Sequence, residues 1–276
     1  MLGVILAAIG GFFEELSASI GKEEVRRKVE SVYAMGFLNS LWGVVFFAVL
    51  TAWNYESLTF AAWPTFLLRA VSSVTLAYFS VNAIAQADRS TFAFIRTGTI
   101  PLLIIADLLL GSTLGGAQLL GMGVIAVGLL FLSVNHGFSK KGMMFTIAST
   151  INAAIAIGLY KYNITHGNSV VLEQLLSITV LILYFAFMCK RSGEKPLLLL
   201  KKPLVALQSG SIGIATLFDS FAYQYAPSSV ILATTRSASV VFSVLSGAAY
   251  FHEKHMAVKI VSIAAFVGGI VLLAAG

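Results

Sequence analysis

Charged side chains are scarce in this 276-residue chain: Asp, Glu, Lys and Arg make up 11%, against 58% hydrophobic residues and a mean hydropathy of +0.90. A soluble domain carries about a quarter charged residues, so too few are present to build a water-facing surface. That excludes a soluble globular enzyme, a DNA-binding module and a disordered scaffold. The single cysteine, Cys189, has no intrachain partner, which excludes a disulfide-stapled secreted domain and leaves the compartment open. No G-x-x-x-x-G-K-[ST] loop occurs, which argues against an ATP-driven pump within this chain. The four histidines, His136, His166, His252 and His255, all fall near the ends of apolar runs. Neither His nor Cys forms an intramembrane constellation fit for a metal or a nucleophile, so no catalytic centre and no cofactor are expected. His252 and His255 with Glu253 read as solvated loop residues. The basic excess, +6 at pH 7, fits loops held against anionic lipid and implies no nucleic-acid partner.

What the chain has instead is apolar length. A spanning helix needs ~20 mostly apolar residues, and such runs occur at roughly 2 to 21, 31 to 53, 61 to 85, 90 to 111, 116 to 135, 142 to 164, 168 to 189, 203 to 226, 228 to 251 and 256 to 275. The expected fold class is therefore all-α integral membrane, with ten transmembrane helices. Continuous runs, without alternation, exclude a β-barrel. The first run has no basic residue before it and contains Glu14 and Glu15, so it reads as a retained span and not a signal peptide. The last run reaches almost to Gly276, leaving no room for a tail signal. Basic residues crowd the loops after runs 1, 3, 5, 7 and 9 (among them Arg26, Arg27, Arg89, Lys140, Lys190, Lys201 and Lys254), while the alternate loops have only Lys161 nearby. Positive-inside logic places both termini outside. The expected location is a multi-pass protein of a prokaryotic cytoplasmic membrane.

Ten runs divide into two halves of five, 1–136 and 137–276. Sliding one along the other by 139 brings Lys22 onto Lys161 and Pro64 onto Pro203; at 140, Ser80 meets Ser220, Ala93 meets Ala233, Arg96 meets Arg236 and Gly128 meets Gly268. The coinciding types are rare ones: Pro in a first helical turn and Arg inside an apolar helix. A repeat with an odd number of spans enters the membrane from opposite sides, so the halves are expected to be inverted, as in alternating-access transporters.

This pattern resembles the drug/metabolite transporter superfamily, EamA type. The likeness rests on the paired five-helix halves, a Lys closing runs 1 and 6, and the end "YFHEKHMAVKIVSIAAFVGGIVLLAAG" with Glu253 before a Gly-bearing last helix. The first run, "FFEELSASIGK", is also similar to the small multidrug resistance branch, with Glu14 eight residues before Lys22. That likeness implies that Glu14 is a coupling carboxylate shared between protons and cationic solutes. The second half departs from it, having Ala153 and Ala154 at the matching positions. The resemblance also implies efflux.

Each ionised side chain at mid-bilayer costs ~3 kcal/mol or more, which singles out Glu14, Glu15, Arg69, Arg96, Asp219 and Arg236. Asp107 reads as interfacial, and Lys22, Lys161 and Glu253 as boundary residues that snorkel or cap. Depths counted from the nearest loop predict two charged layers, Glu14/Glu15/Arg96 toward one face and Asp219/Arg236/Arg69 toward the other. Between the adjacent acids, Glu14 is preferred because it lies on a stripe of Gly3, Ala7, Gly10, Ser17 and Gly21 suited to close packing; Glu15 would pair with Lys22. Pro101, inside the fourth run, should kink that helix beside Arg96. Tyr78, Asn82, Asn152, Tyr223, Gln224, Ser239 and Ser243 are expected to line a cavity, with Phe92 and Trp42 nearby. Arg69, Arg96, Asp219 and Arg236 are expected to form ion pairs that either hold helices in register or move as gates.

The sequence thus points to a secondary transporter for a small polar, amino-acid-like metabolite, with a carboxylate whose exchange between proton and solute would couple transport. A proton/cationic-compound antiporter is the alternative. A membrane-embedded enzyme and a non-transport scaffold stay behind both. The expected partners are the solute, the bilayer and protons; two halves in one chain make a functional monomer feasible without excluding a dimer.

Overall fold

The computed structural model describes residues 1–26, 31–53, 58–86, 95, 96, 98–134, 142–251 and 256–275. The long helices are α1 (Leu2–Arg26), α2 (Val32–Trp53), α3 (Trp63–Gln86), α4 (Thr99–Leu109), α5 (Gly116–Val134), α6 (Met143–Thr165), α7 (Val170–Arg191), α8 (Pro203–Tyr225), α9 (Ser228–Phe251) and α10 (Met256–Ala275). A helical turn, Pro196–Leu199, lies between α7 and α8. The described residues contain no β-strand, only an isolated antiparallel bridge between Phe60 and Asn168. Six helices (α1, α2, α3, α6, α7 and α8) are long and apolar enough to cross a bilayer, and the other four carry shorter apolar stretches. The chain is all-helical and compatible with a multi-pass membrane protein.

Local sequence accounts for the helix ends. Pro203 stands in the first turn of α8, where a missing N–H leaves no bond unmade. At the end of α7, Gly193 takes φ +71°, and the amide of Glu194 returns to the carbonyl of Cys189 at 2.9 Å, closing the helix with a left-handed residue. The fourth run differs from expectation. The described helix begins at Thr99, with the Gly98 amide just before it bonded to the Ile95 carbonyl, so Pro101 sits in its first turn and not in its interior.

In lipid, helix association depends on close packing of small residues more than on hydrophobic burial. Accordingly α1 lies in the groove between α8 and α9 through glycines. Gly3 faces the carbonyl of Ala222, Gly10 faces the carboxylate of Asp219, and Gly11 faces the carbonyl of Thr235. The other main contacts are α2 on α7 and α8, α3 on α6 and α7, α4 on α6 and α9, α5 on α10, and α9 on α10. One core cluster (Ile100, Leu103, Met122, Ile125, Phe266, Leu273) joins α4, α5 and α10; another (Phe47, Val170, Val171, Ile178) joins α2 and α7. The α1 crossing tolerates no side chain. A Cβ on Gly11 would lie 2.5 Å from the Thr235 oxygen and 2.8 Å from the Ala238 methyl. Gly11→Ala should therefore cost about 1–3 kcal/mol, read as a lower SDS midpoint in mixed-micelle unfolding; an unchanged midpoint would contradict the crossing.

Candidate functional site

Among the described residues, the charged side chains that meet inside the bundle gather in three places. The first is built where α1 meets the α8–α9 pair. Glu14 Oε1 lies 3.6 Å from Arg236 Nη1, and the two side chains retain 31% and 35% exposure, so the pair faces an accessible space. Asp219, one helical turn along α1 at Gly10, accepts a hydrogen bond from the Thr235 hydroxyl at 3.1 Å and is within electrostatic range of both Glu14 and Arg236. Arg96 lies within the same range of Arg236 and Glu14. Rings flank the group: Phe12 meets Phe242 edge-on at 4.8 Å, and Phe13 stacks with Phe218 at 6.5 Å. Ser239 donates to the Gly11 carbonyl at 3.0 Å, pinning α9 to α1 beside the charges.

The expected two layers are therefore corrected. Glu14, Arg96, Asp219 and Arg236 form one cluster, and Arg69 belongs elsewhere. Counting from opposite faces put Glu14 ~10 Å from one surface and Arg236 ~12 Å from the other; across a core of about 30 Å the remaining gap is within reach of an arginine side chain. Glu15 accepts from Ser19 at 2.8 Å within its own helix. The Lys22 and Ser243 side chains, Phe92 and Glu253 lie outside the described residues.

The second place is fully buried. Arg69 donates to Glu173 at 2.7 Å and to Gln174 at 2.8 Å, with its guanidinium 4.3 Å from the centre of the Tyr160 ring. Glu173, 0% exposed, also accepts from Asn163 at 2.8 Å and Asn168 at 2.6 Å. Gln174 continues to Ser220 at 2.7 Å, whose carbonyl takes the Tyr160 hydroxyl at 2.9 Å. Both carboxylate oxygens of Glu173 and both terminal nitrogens of Arg69 have protein partners. Sequence reasoning missed Glu173, Gln174, Asn163 and Asn168. The signal was present: Glu173 is an acid inside an apolar run, and the rule that singled out Arg69 applies to it equally.

The third place is the α8–α9 turn. Asp107, expected at the interface, is 0% exposed; it accepts from the amides of Ser228 (2.9 Å) and Ser229 (2.7 Å) because α9 begins there with free N–H groups. Lys161 caps, donating to the carbonyls of Tyr223 and Ala226.

Twenty-seven solved chains match this one in fold. One of them, described only as "Crystal structure of protein", superposes with a TM-score of 0.77 at 14% identity over 98% of this chain and 95% of that one. The likeness is one of fold. No family profile and no curated protein matches the sequence.

The remaining expected lining residues have other surroundings. Asn152 is buried and exchanges two hydrogen bonds with Ser72, tying α6 to α3. Tyr223 is buried edge-on to Tyr160 at 5.6 Å. Asn82 donates to the Tyr78 carbonyl within α3, Tyr78 is exposed beside Phe79, and Gln224 is exposed. Trp42 donates to Ser209 at 3.1 Å. A lateral groove of about 490 Å³ between α4 and α6 is walled by Leu102, Ile105, Ile151, Ile155 and Gly158, and it offers a polar solute little. Among the described residues no cluster of His, Cys, Asp or Glu is arranged to hold a metal. Among the three charged clusters described above, the Glu14 cluster combines opposite charges with access, which suits reversible binding of a small zwitterion: carboxylate to arginine, ammonium to carboxylate.

Proposed function

We propose that the chain is a secondary transporter of a small zwitterionic metabolite, an amino-acid-like solute, working by alternating access with ten spans in two inverted halves. By pattern it resembles the drug/metabolite transporter superfamily, and its place is a prokaryotic cytoplasmic membrane. The observation that carries the reading is the convergence of Glu14, Asp219 and Arg236, with Arg96 in range, at an accessible point. Two carboxylates and two guanidinium groups from α1, the fourth run, α8 and α9 are costly inside a membrane, and such groups mark substrate or ion pathways.

The packing supports the repeat. Exchanging each helix for the one five places on turns α1·α8 into α6·α3, α1·α9 into α6·α4 and α2·α8 into α7·α3, and returns α2·α7, α4·α9 and α5·α10 to themselves; all of these contacts occur. At the residue level, Arg69 beside Tyr160 and Gln174 has its counterpart 139 positions away in Gln208 beside Gly21 and Met35. An inverted pair is the usual frame for a carrier whose site sits at the repeat interface.

Proteoliposomes holding a trapped pH dye and a labelled solute provide the test. Amino acids added outside should accelerate tracer exchange, and proton movement with it that Glu14→Gln abolishes would assign coupling to Glu14. The rings beside Glu14 favour a second reading, the proton/cation antiporter, for which quaternary amines alone would move protons. No exchange with amino acids, sugar phosphates or amines would overturn both and leave a scaffold.

A further inference from the structure

The α8–α9 turn is held in a way that binding at Glu14 does not use. α1, α2, α8 and α9 form one connected group of contacts and α3, α4, α6 and α7 another, and the two groups meet chiefly where α2 packs on α7 and α4 on α9. Lys161 of α6 and Asp107 of α4 both cross from the second group to the first. Lys161 donates to the last carbonyls of α8, with Ala226 at 3.1 Å, and Asp107 takes the first amides of α9 together with the Ser229 hydroxyl at 2.6 Å. A cation stands at a helix C-terminus and an anion at an N-terminus, each complementing the local dipole. Gln174 and the Tyr160 hydroxyl reach Ser220 from the same direction.

A permanent turn has no need of charge. Neutral caps such as Ser, Asn or Gly satisfy the same backbone groups without taking an ammonium and a carboxylate out of water. Here both ions are buried, with Lys161 8% and Asp107 0% exposed. Charged caps have one property that neutral ones lack. Closed, they make charge-assisted bonds in a low dielectric; parted, they are hydrated as water enters, and the loss on opening is offset.

We propose that Lys161 and Asp107 are the two halves of a latch that closes the α8–α9 end of the bundle and parts when the protein opens there. This rests on the alternating-access reading and adds to it the contacts that must break. The latch joins the two groups at the turn of the hairpin that carries Asp219 and Arg236, so releasing it would free the end of the site's own helices.

The test uses the full chain with Cys189→Ala as background. Asp107→Cys with Ser229→Cys replaces two touching side chains; oxidation should lower solute exchange at least 10-fold and reductant should restore it. Equal exchange in the oxidised and reduced protein overturns the latch. Independently of any solute, Ser229→Cys alone should react slowly with a membrane-impermeant maleimide, and Asp107→Asn should raise that rate about 10-fold. An unchanged rate overturns the proposal. So does an equal rise at Ile125→Cys, deep in the core, because Asp107 would then hold the whole fold and not one end. Absence of exchange in the Cys189→Ala parent would instead count against the carrier reading, while the labelling rates still report on the latch.

Discussion

Replacing Glu173 by Ala should lower the unfolding free energy by about 3–5 kcal/mol, the cost of leaving a buried guanidinium without its counterion. The pair is closed to solvent, with side-chain exposures of 8% and 0%, so water does not compensate Arg69 as it would at a surface. The loss extends further than one ion. The Asn163 and Asn168 amides both end on Glu173, and each would become an unpaired buried donor. Arg69→Met with Glu173→Leu removes both charges and should recover part of the loss but not all, since the two asparagines stay unsatisfied. SDS titration in mixed micelles ranks the variants. Single variants as stable as wild type would mean that solvent reaches this cluster and that the network is not the seal it appears in these distances.

The helices were legible from apolar length because a bilayer demands it: the runs at 142 to 164, 168 to 189, 203 to 226 and 228 to 251 match α6, α7, α8 and α9 to within two residues. Of the charges that meet, Glu14 with Arg96 and Asp219 with Arg236 were legible, and the joining of the two layers was not. Depth along a helix is readable from residue number, but the neighbour it faces is set by packing. Glu14 reaches Arg236 because Gly10 and Gly11 let α1 sink between α8 and α9. The glycine stripe was visible in the sequence, yet nothing in it named the groove it fits. Glu173, which the sequence reading did not weigh, stands five residues inside its run, and the loop beside it folds over, with the Ala62 amide bonded to Asn168 at 2.8 Å, and covers it. Asp107 was misjudged. Its distance from the end of the run suggested water, whereas the bare amides of α9 were waiting at that level.

The Glu14–Arg236 pair should behave in the opposite way to Arg69–Glu173. With about a third of each side chain exposed and 3.6 Å between the charged atoms, it contributes at most about 1 kcal/mol to stability, and Glu14→Gln or Arg236→Gln should unfold close to wild type. Solute exchange should fall about 10- to 150-fold, the equivalent of one charged hydrogen bond of ~1.5–3 kcal/mol withdrawn from the ligand. The charge-swapped pair, Glu14→Arg with Arg236→Glu, separates binding from architecture. If the two residues only held α1 to α9, the swap would rebuild their attraction and exchange would return. In the binding reading the swap fails, because Arg96 and Asp219 keep their original signs and the exchanged charges now meet the wrong ends of a zwitterion. Parallel measurement of SDS midpoint and tracer exchange decides the matter. Recovery of exchange by the swap would make the pair a tie between helices and move the solute site elsewhere in the bundle.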